Sequence, residues 1–251
     1  MMNKRMKVLV VMMFALSVTM VEGQDAKEII RKMDENAQGK SSKSEMTMKI
    51  VRPTWTREVG VKGWSLGTNY SLILITAPNR DKGSAFLKRD VEMWNWQPTI
   101  NRVIKMPPSM MMQSWMGSDF TNDDLVKQSS IVEDYTHTIV KDTTMQGYAC
   151  YKIKMIPKED AAVVWGRIDT YVTKKEYLQL LVKFYDEDEF LMNTMYMSNI
   201  REMGGRTIPT RMEMVPAEEP GNKTIIEYQS FEFDIPIDEE FFSMQNMKRV
   251  R

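Results

Sequence analysis

The stretch Arg80–Leu125 reads RDKGSAFLKRDVEMWNWQPTINRVIKMPPSMMMQSWMGSDFTNDDL. It begins with three short runs of strand-like composition, Ala85–Lys88, Val91–Trp96 and Arg102–Lys105, separated by turn residues. Five methionines and a tryptophan then fall within Met106–Met116, beside two prolines that would interrupt a helix or a central strand. Methionine is flexible and polarizable, so such a cluster suits a surface that accepts several apolar shapes. The stretch therefore predicts antiparallel strands that lead into an apolar loop.

Strand-like runs continue on both sides of this stretch, most of them with apolar and polar residues in alternation. Before it lie Met46–Ile50, Trp55–Trp64 and Tyr70–Thr76, and after it lie Ile131–Lys141, Tyr148–Met155, Val163–Val172, Leu178–Tyr185, Leu191–Arg201, Thr207–Met214 and Thr224–Phe233. Roughly a dozen consecutive strands at this spacing predict one large antiparallel sheet, curled into a barrel or half-barrel.

Helices are predicted at three places. The first follows Asp25, which can act as its cap, and apolar residues recur at helical spacing until Gly39 ends it. A second is predicted over Asn122–Gln128 with Thr121 as its cap. In the tail, IPIDEEFFSM predicts a short closing helix whose two phenylalanines, Phe241 and Phe242, cover an end of the sheet.

The N-terminus has the pattern of a secretory signal. Three basic residues precede the apolar run Val8–Val21, which is short for a membrane span, and small residues precede a cut before Gln24. We therefore expect residues 1–23 to be a cleaved signal peptide and residues 24–251 to form one domain that is exported out of the cytoplasm. A retained membrane anchor is the alternative.

The charge of the chain gives little support to binding nucleic acid. Its 34 basic and 34 acidic residues balance, and removal of residues 1–23 takes away three basic residues and one acidic residue. The remaining chain has a net charge of −2, which does not favour general attraction to nucleic acid or anionic membrane.

No residue pattern indicates catalysis or a metal cofactor. His137 has no neighbouring triad motif, and Cys150, which lies in a strand-like run, is expected to be a buried, inert thiol. Asp119, Asp123 and Asp124 are a candidate set for acid–base chemistry, but the start of a helix explains them more simply. We expect a protein without enzymatic activity, cofactor or metal.

The methionine cluster leaves three interpretations open. It can form the mouth of an apolar cavity, cap a core without binding a ligand, or hold Cu(I) through thioethers, to which Met192, Met195 and Met197 could add. Trp94 and Trp96 share one side of a strand, which fits a cavity wall or plain core packing equally well. The predicted cavity and its lip comprise Met106, Met110, Met111, Met112, Trp115, Met116, Phe120, Trp94, Trp96, Leu72, Leu74 and Trp64.

These features together resemble the outer membrane lipoprotein-sorting protein family, relatives of the periplasmic lipoprotein carrier LolA and its outer-membrane receptor LolB. The likeness covers nearly all of residues 24–251 and is most specific over Lys82–Leu125, with its tryptophan-bearing strand, Met-Pro-Pro turn and Gly-Ser-Asp-Phe at 117–120. The chain departs from the true lipoprotein carriers in its methionine-rich turn. It also offers no residue that aligns with the arginine that locks their lid.

The resemblance implies an α+β fold, mainly antiparallel β. This is an unclosed half-barrel with helices packed in or over its concave face, around a cavity that takes acyl chains. It implies a non-enzymatic carrier of lipid or lipoprotein in the periplasm, with an RND-type exporter or an outer-membrane acceptor as partner. We expect the protein to be a monomer. The alternative function is a structural adaptor that docks on such an exporter through the methionine-rich loop.

Overall fold

Thirteen antiparallel strands form one sheet in the computed structural model, which describes residues 25–126, 131–161 and 163–250. The strands are β1 (Ser41–Arg52), β2 (Trp55–Leu66), β3 (Tyr70–Ala77), β4 (Ala85–Arg89), β5 (Glu92–Gln97), β6 (Arg102–Lys105), β7 (Tyr135–Met145), β8 (Tyr148–Pro157), β9 (Arg167–Thr173), β10 (Gln179–Tyr185), β11 (Leu191–Met203), β12 (Arg206–Pro216) and β13 (Lys223–Phe233). Their order across the sheet is β6-β5-β4-β3-β2-β1-β13-β12-β11-β10-β9-β8-β7. The first and last strands therefore pair at the centre, and β6 and β7 are the two edges of an unclosed sheet.

Each strand-like run of the sequence is a strand, and the predicted half-barrel is confirmed. The bounds differ most at the start of β1, which is Ser41 instead of Met46, and by four residues at two further starts: β7 begins at Tyr135 instead of Ile131, and β9 at Arg167 instead of Val163. Residues 131–134 form turns, and the Ile131 carbonyl lies 2.8 Å from Nε2 of His137. These four residues therefore fold back on β7 and do not extend it.

The first helix, α1 (Ala26–Gln38), lies between the caps that the sequence predicts. The Asp25 carboxylate accepts from the Lys27 backbone N–H at 3.0 Å, and Gly39 ends the helix with φ 67°, which favours glycine. Ile29 and Ile30 are completely buried, and burial of such a side chain stabilises by roughly 1.5–3 kcal/mol. This apolar stripe fixes α1 on the half of the sheet that includes β7 and β12.

Alternation along the strands gives the sheet an inner face, on which α1 lies, and an outer face. On the outer face, Phe242 and Met247 pack against the side chains of β3, β4 and β5. Phe242 directly follows a short 3-10 helix, Glu239–Phe241, and Met247 ends α3 (Met244–Met247). The predicted closing helix is thus present, and it covers the outer face of the sheet instead of its end.

The segment between β6 and β7 contains α2 (Asn122–Val126). Thr121 and Asp124 form a reciprocal cap, in which the Thr121 N–H donates to the Asp124 carboxylate at 2.7 Å and the Asp124 N–H to the Thr121 hydroxyl at 3.1 Å. The predicted end at Gln128 lies outside the described residues, as does the predicted signal peptide, residues 1–23. Among the helices that the structure describes, none is both long and apolar enough to cross a membrane.

Candidate functional site: an apolar cavity on the inner face

A cavity of about 390 Å³ lies on the inner face of the sheet, between α1, α2 and the strands. This volume falls within the roughly 300–1,000 Å³ of typical ligand sites. Six methionines line it: Met33, Met46, Met195, Met197, Met212 and Met214. Its aromatic lining residues are Trp64, Trp115, Phe120, Tyr135, Trp165, Tyr177, Phe184, Tyr228 and Phe231.

Two neighbouring strands supply four of these methionines as one patch. Met195 and Met197 on β11 point to the inner face because they are two residues apart, and Met212 and Met214 on β12 do the same. The strand register places Met195 opposite Met214 and Met197 opposite Met212. Such a patch can adjust its shape to different apolar ligands.

Small residues on β1 and β2 leave the space that the cavity occupies. Ser44 and Gly63 are register partners, and both line the cavity, as do Ser42 and Ser65. A Cβ atom added at Gly63 would lie 3.3 Å from the Ser44 hydroxyl oxygen. The Ser42 and Ser65 hydroxyls are 2.6 Å apart, so one donates to the other and their polarity is satisfied. Larger residues at these positions would fill part of the cavity.

The methionine-rich loop, Met106–Phe120, packs beside the cavity and contributes two side chains to its wall. Trp115, 2% exposed, and Phe120 line the cavity. The side chains of Met106, Met111 and Met116 are partly buried against the same apolar cluster. Of the remaining loop methionines, Met110 is half-buried and Met112 is 60% exposed.

Polar contacts fix the loop to the sheet. The Asp119 carboxylate and the Arg52 guanidinium form an ion pair at 3.1 Å, and the Thr224 hydroxyl donates to the same carboxylate at 2.6 Å. Arg52 also donates to the Gly117 carbonyl at 2.9 Å, and Arg57 donates to the Met116 carbonyl. Asp119 therefore anchors the loop, and it is not part of the helix start to which the sequence assigned it.

Four predicted cavity residues lie on the outer face instead. Leu72, Leu74, Trp94 and Trp96 pack in the cluster formed with the C-terminal helices. Trp94 and Trp96 do share one side of β5, as predicted, but their side chains point away from α1. The cause is parity: on β3, Ile73 lines the cavity, so its neighbours in the strand point outward.

Trp64 contacts both the cavity and the outer-face cluster. It borders the cavity, where Gly63 and Ser65 leave the strand uncovered, but its ring centroid lies 5.7 Å from that of Phe241 on the outer face. Three of the twelve predicted residues, Trp64, Trp115 and Phe120, thus line the cavity. The strand methionines and Trp165 were missed, although the alternation at 195/197 and 212/214 is visible in the sequence.

Three carboxyl groups also line the cavity, Asp34 from α1 and Asp123 and Asp124 from α2. Burial raises the pKa of Asp34 to about 6, although Gln38 donates to its carboxylate at 2.7 Å. Burial also raises the pKa of Asp124, which accepts from the Trp165 indole N–H at 3.4 Å. An apolar cavity with a few acidic groups can bind an amphiphile and orient its polar end.

The remaining candidates for chemistry have structural surroundings. Cys150 is fully buried, and burial raises the pKa of its thiol. Met192 is 39% exposed, whereas Met195 and Met197 line the cavity, so the three do not converge on one metal ion. In the described parts of the chain, the structure contains no group of three or more His, Cys, Asp or Glu residues placed to hold a metal.

Comparison with known proteins identifies the family. The sequence model of a family described only as an uncharacterized protein matches residues 67–249, which is most of the chain. The chain belongs to this family. None of the curated proteins matches the sequence.

Solved structures show which fold this family member has. A DUF1329 family protein from Desulfovibrio piger ATCC 29098 is 23% identical, with a TM-score of 0.81 over 88% of this chain and 97% of the other. A protein domain described as outer membrane lipoprotein-sorting, from Vibrio parahaemolyticus, is 22% identical, with a TM-score of 0.79 over 89% and 98%. A LolA superfamily protein from Nitrosomonas europaea is 19% identical, with a TM-score of 0.76 over 88% and 98%. The family member therefore has a LolA-like fold, as the resemblance in sequence implied.

Proposed function

We propose that this protein is a carrier that binds acyl chains, or another hydrophobic cargo, in the inner-face cavity and transfers it through the cell envelope. The observation that supports this most directly is a cavity of about 390 Å³ lined by six methionines and nine aromatic residues. The fold agrees with this proposal, because one structure of similar fold is described as lipoprotein-sorting. The carrier is proposed to act in the periplasm, after removal of residues 1–23, and without catalysis.

Burial of the acyl chain supplies the binding energy. Each methylene removed from water contributes about 0.8 kcal/mol, so partial burial of a chain offsets much of the cost of leaving a membrane. Release then requires a partner with a competing apolar site. We propose an outer-membrane acceptor or an RND-type exporter in this role.

Binding of a neutral acyl probe by paired variants tests the proposal. Met195→Trp combined with Met212→Trp fills the cavity, because both side chains line it. Tyr196→Trp is the matched control, since Tyr196 is 48% exposed and adjacent to Met195 in the strand, so it points to the other face. The probe is a pyrene-labelled acyl methyl ester, and native mass spectrometry with lipid extraction reports cargo already bound to the purified protein.

We expect saturable probe binding by the wild-type protein and by Tyr196→Trp, and loss of at least about tenfold in affinity in the filled variant. Circular dichroism and thermal unfolding establish that both variants are folded. Absence of both probe binding and extracted lipid from the wild type would refute the carrier function. Equal binding by the filled variant would refute the cavity as its site.

A further inference from the structure

We propose that the cavity selects its cargo by charge and takes a non-anionic acyl ester, with Trp115 donating a hydrogen bond to the ester carbonyl. This inference rests on the proposed carrier function and specifies its ligand class. Two independent features carry it: the sign of the charged groups on the cavity wall and a buried indole N–H that has no acceptor.

All charged side chains that line the cavity within the described ranges are acidic. They are Asp34 on α1 and Asp123 and Asp124 on α2. At pH 7.5, above the pKa of about 6 of Asp34, the carboxylate of a free fatty acid would lie near a like charge, in surroundings that solvate it less well than water does. An ester head has no such charge, and any hydroxyl or amine groups it carries could donate to these oxygens.

Among the described residues, Lys88 is a cation near these carboxyl groups, but its contacts do not favour an anion in the cavity. Lys88, on β4, is 6% exposed, and its ammonium donates to the Thr68 carbonyl at 2.6 Å. It interacts electrostatically with Asp90, Asp123 and Asp34. The Lys88 ammonium therefore already interacts with carboxyl groups of the protein.

The second feature is the indole of Trp115. Trp115 lines the same cavity and is 2% exposed, and its Nε1–H has no hydrogen-bond acceptor among the described residues. A buried donor that lacks an acceptor is unfavourable, and native proteins rarely retain one without a reason. Phe86 contacts the ring at 5.6 Å between centroids, edge-on, and offers no acceptor oxygen in its side chain. A carbonyl oxygen of a bound ester would satisfy this donor.

Displacement of the neutral pyrene probe by three matched ligands tests the inference. Oleate and methyl oleate differ by one methyl group and one negative charge, and 1-octadecene has a chain of similar length without an acceptor. At pH 7.5 we expect methyl oleate to bind at least about tenfold more tightly than oleate, because the acidic wall disfavours the anion. Methyl oleate should also bind more tightly than 1-octadecene.

Two variants separate the contributions of the features. Trp115→Phe keeps an aromatic ring but removes the donor. It should weaken the binding of methyl oleate about three- to tenfold and leave the affinity for 1-octadecene unchanged. Asp34→Asn should strengthen oleate binding severalfold and leave methyl oleate unchanged. Glu35→Gln is the control on the same helix, since its side chain is 61% exposed and is not part of the cavity wall.

The outcomes distinguish this inference from the carrier function. If none of the three ligands displaces the probe, and no probe binds, the carrier function fails. If oleate binds as tightly as methyl oleate, the carrier function stands and charge selection is refuted. If Trp115→Phe weakens the binding of methyl oleate and of 1-octadecene equally, Trp115 contributes only packing and the assigned hydrogen bond is refuted.

Discussion

Removal of the Asp119 carboxylate should destabilise the fold markedly, because this group fixes the methionine-rich loop to the sheet. Its ion pair with Arg52 spans 3.1 Å, and the two side chains are only 6% and 14% exposed. Loss of one partner of a buried pair typically costs about 3–5 kcal/mol, since the other charge remains buried. Arg52 would keep its bonds to the Val51 and Gly117 carbonyls at 2.8 and 2.9 Å. We therefore expect Asp119→Ala to cost about 3 kcal/mol, near the lower end of that range.

Urea denaturation and calorimetry measure this change. For a chain of this size a loss of 1 kcal/mol lowers Tm by about 2–4 °C, so Asp119→Ala should lower it by about 6–12 °C. The matched control is Glu58→Ala, which removes an exposed pair with Lys49 whose side chains are 62% and 46% exposed. Such surface pairs contribute at most about 1 kcal/mol. A loss for Asp119→Ala no larger than that for Glu58→Ala would refute the anchoring role of Asp119.

Three further predictions concern α1, pH and the thiol. Ile30→Ala should cost about 2–5 kcal/mol in urea denaturation because its side chain is fully buried, and a loss below about 1 kcal/mol would show that α1 is not held by this contact. Since burial raises the pKa of Asp34 from 3.8 to about 6, its contribution to stability is present below pH 3.8 and lost as pH rises to about 6. Asp34→Asn should flatten this part of the stability–pH profile, and an unchanged slope would contradict the raised pKa of Asp34. Cys150, fully buried, should react with iodoacetamide only after denaturation, and labelling of the native protein would contradict its burial.

The fold was predictable because strand alternation and caps are local signals. The run Arg102–Lys105 is a strand with the predicted bounds, and α1 starts and stops at the caps Asp25 and Gly39. The starts of β7 and β9 were less predictable. There, apolar residues such as Val163 and Trp165 line the cavity outside any strand, so their composition resembled a strand start.

The candidate site was less predictable, because it depends on which face of each strand is inner. Alternation shows that Trp94 and Trp96 share a side, but β3, β4 and β5 carry large apolar residues on both faces. The C-terminal residues Phe242 and Met247 cover one of those faces, and nothing local in the sequence assigns them to it. The contribution of Ser44 and Gly63 also depends on their pairing across strands, since small residues shape a cavity only when they are adjacent in space.

The methionine-rich loop has a narrower role than its composition predicts. It supplies Trp115 and Phe120 to the cavity wall, whereas the methionines of the wall come from α1, β1, β11 and β12. Its own methionines pack against the core beside the cavity or lie at the surface. The loop thus combines side chains of the cavity wall with side chains that pack on the core.

Photo-crosslinking with an acyl methyl ester that carries a diazirine in its chain shows which face of the sheet binds acyl chains. Adjacent residues of β11 report on opposite faces of the sheet: Met195 lines the cavity, and Tyr196 is 48% exposed on the other face. Peptide mass spectrometry should find adducts on inner-face residues such as Met195 and Met212, and excess methyl oleate should abolish them. Adducts confined to Tyr196 and other outer-face residues, or labelling that methyl oleate does not reduce, would contradict binding of acyl chains in the inner-face cavity.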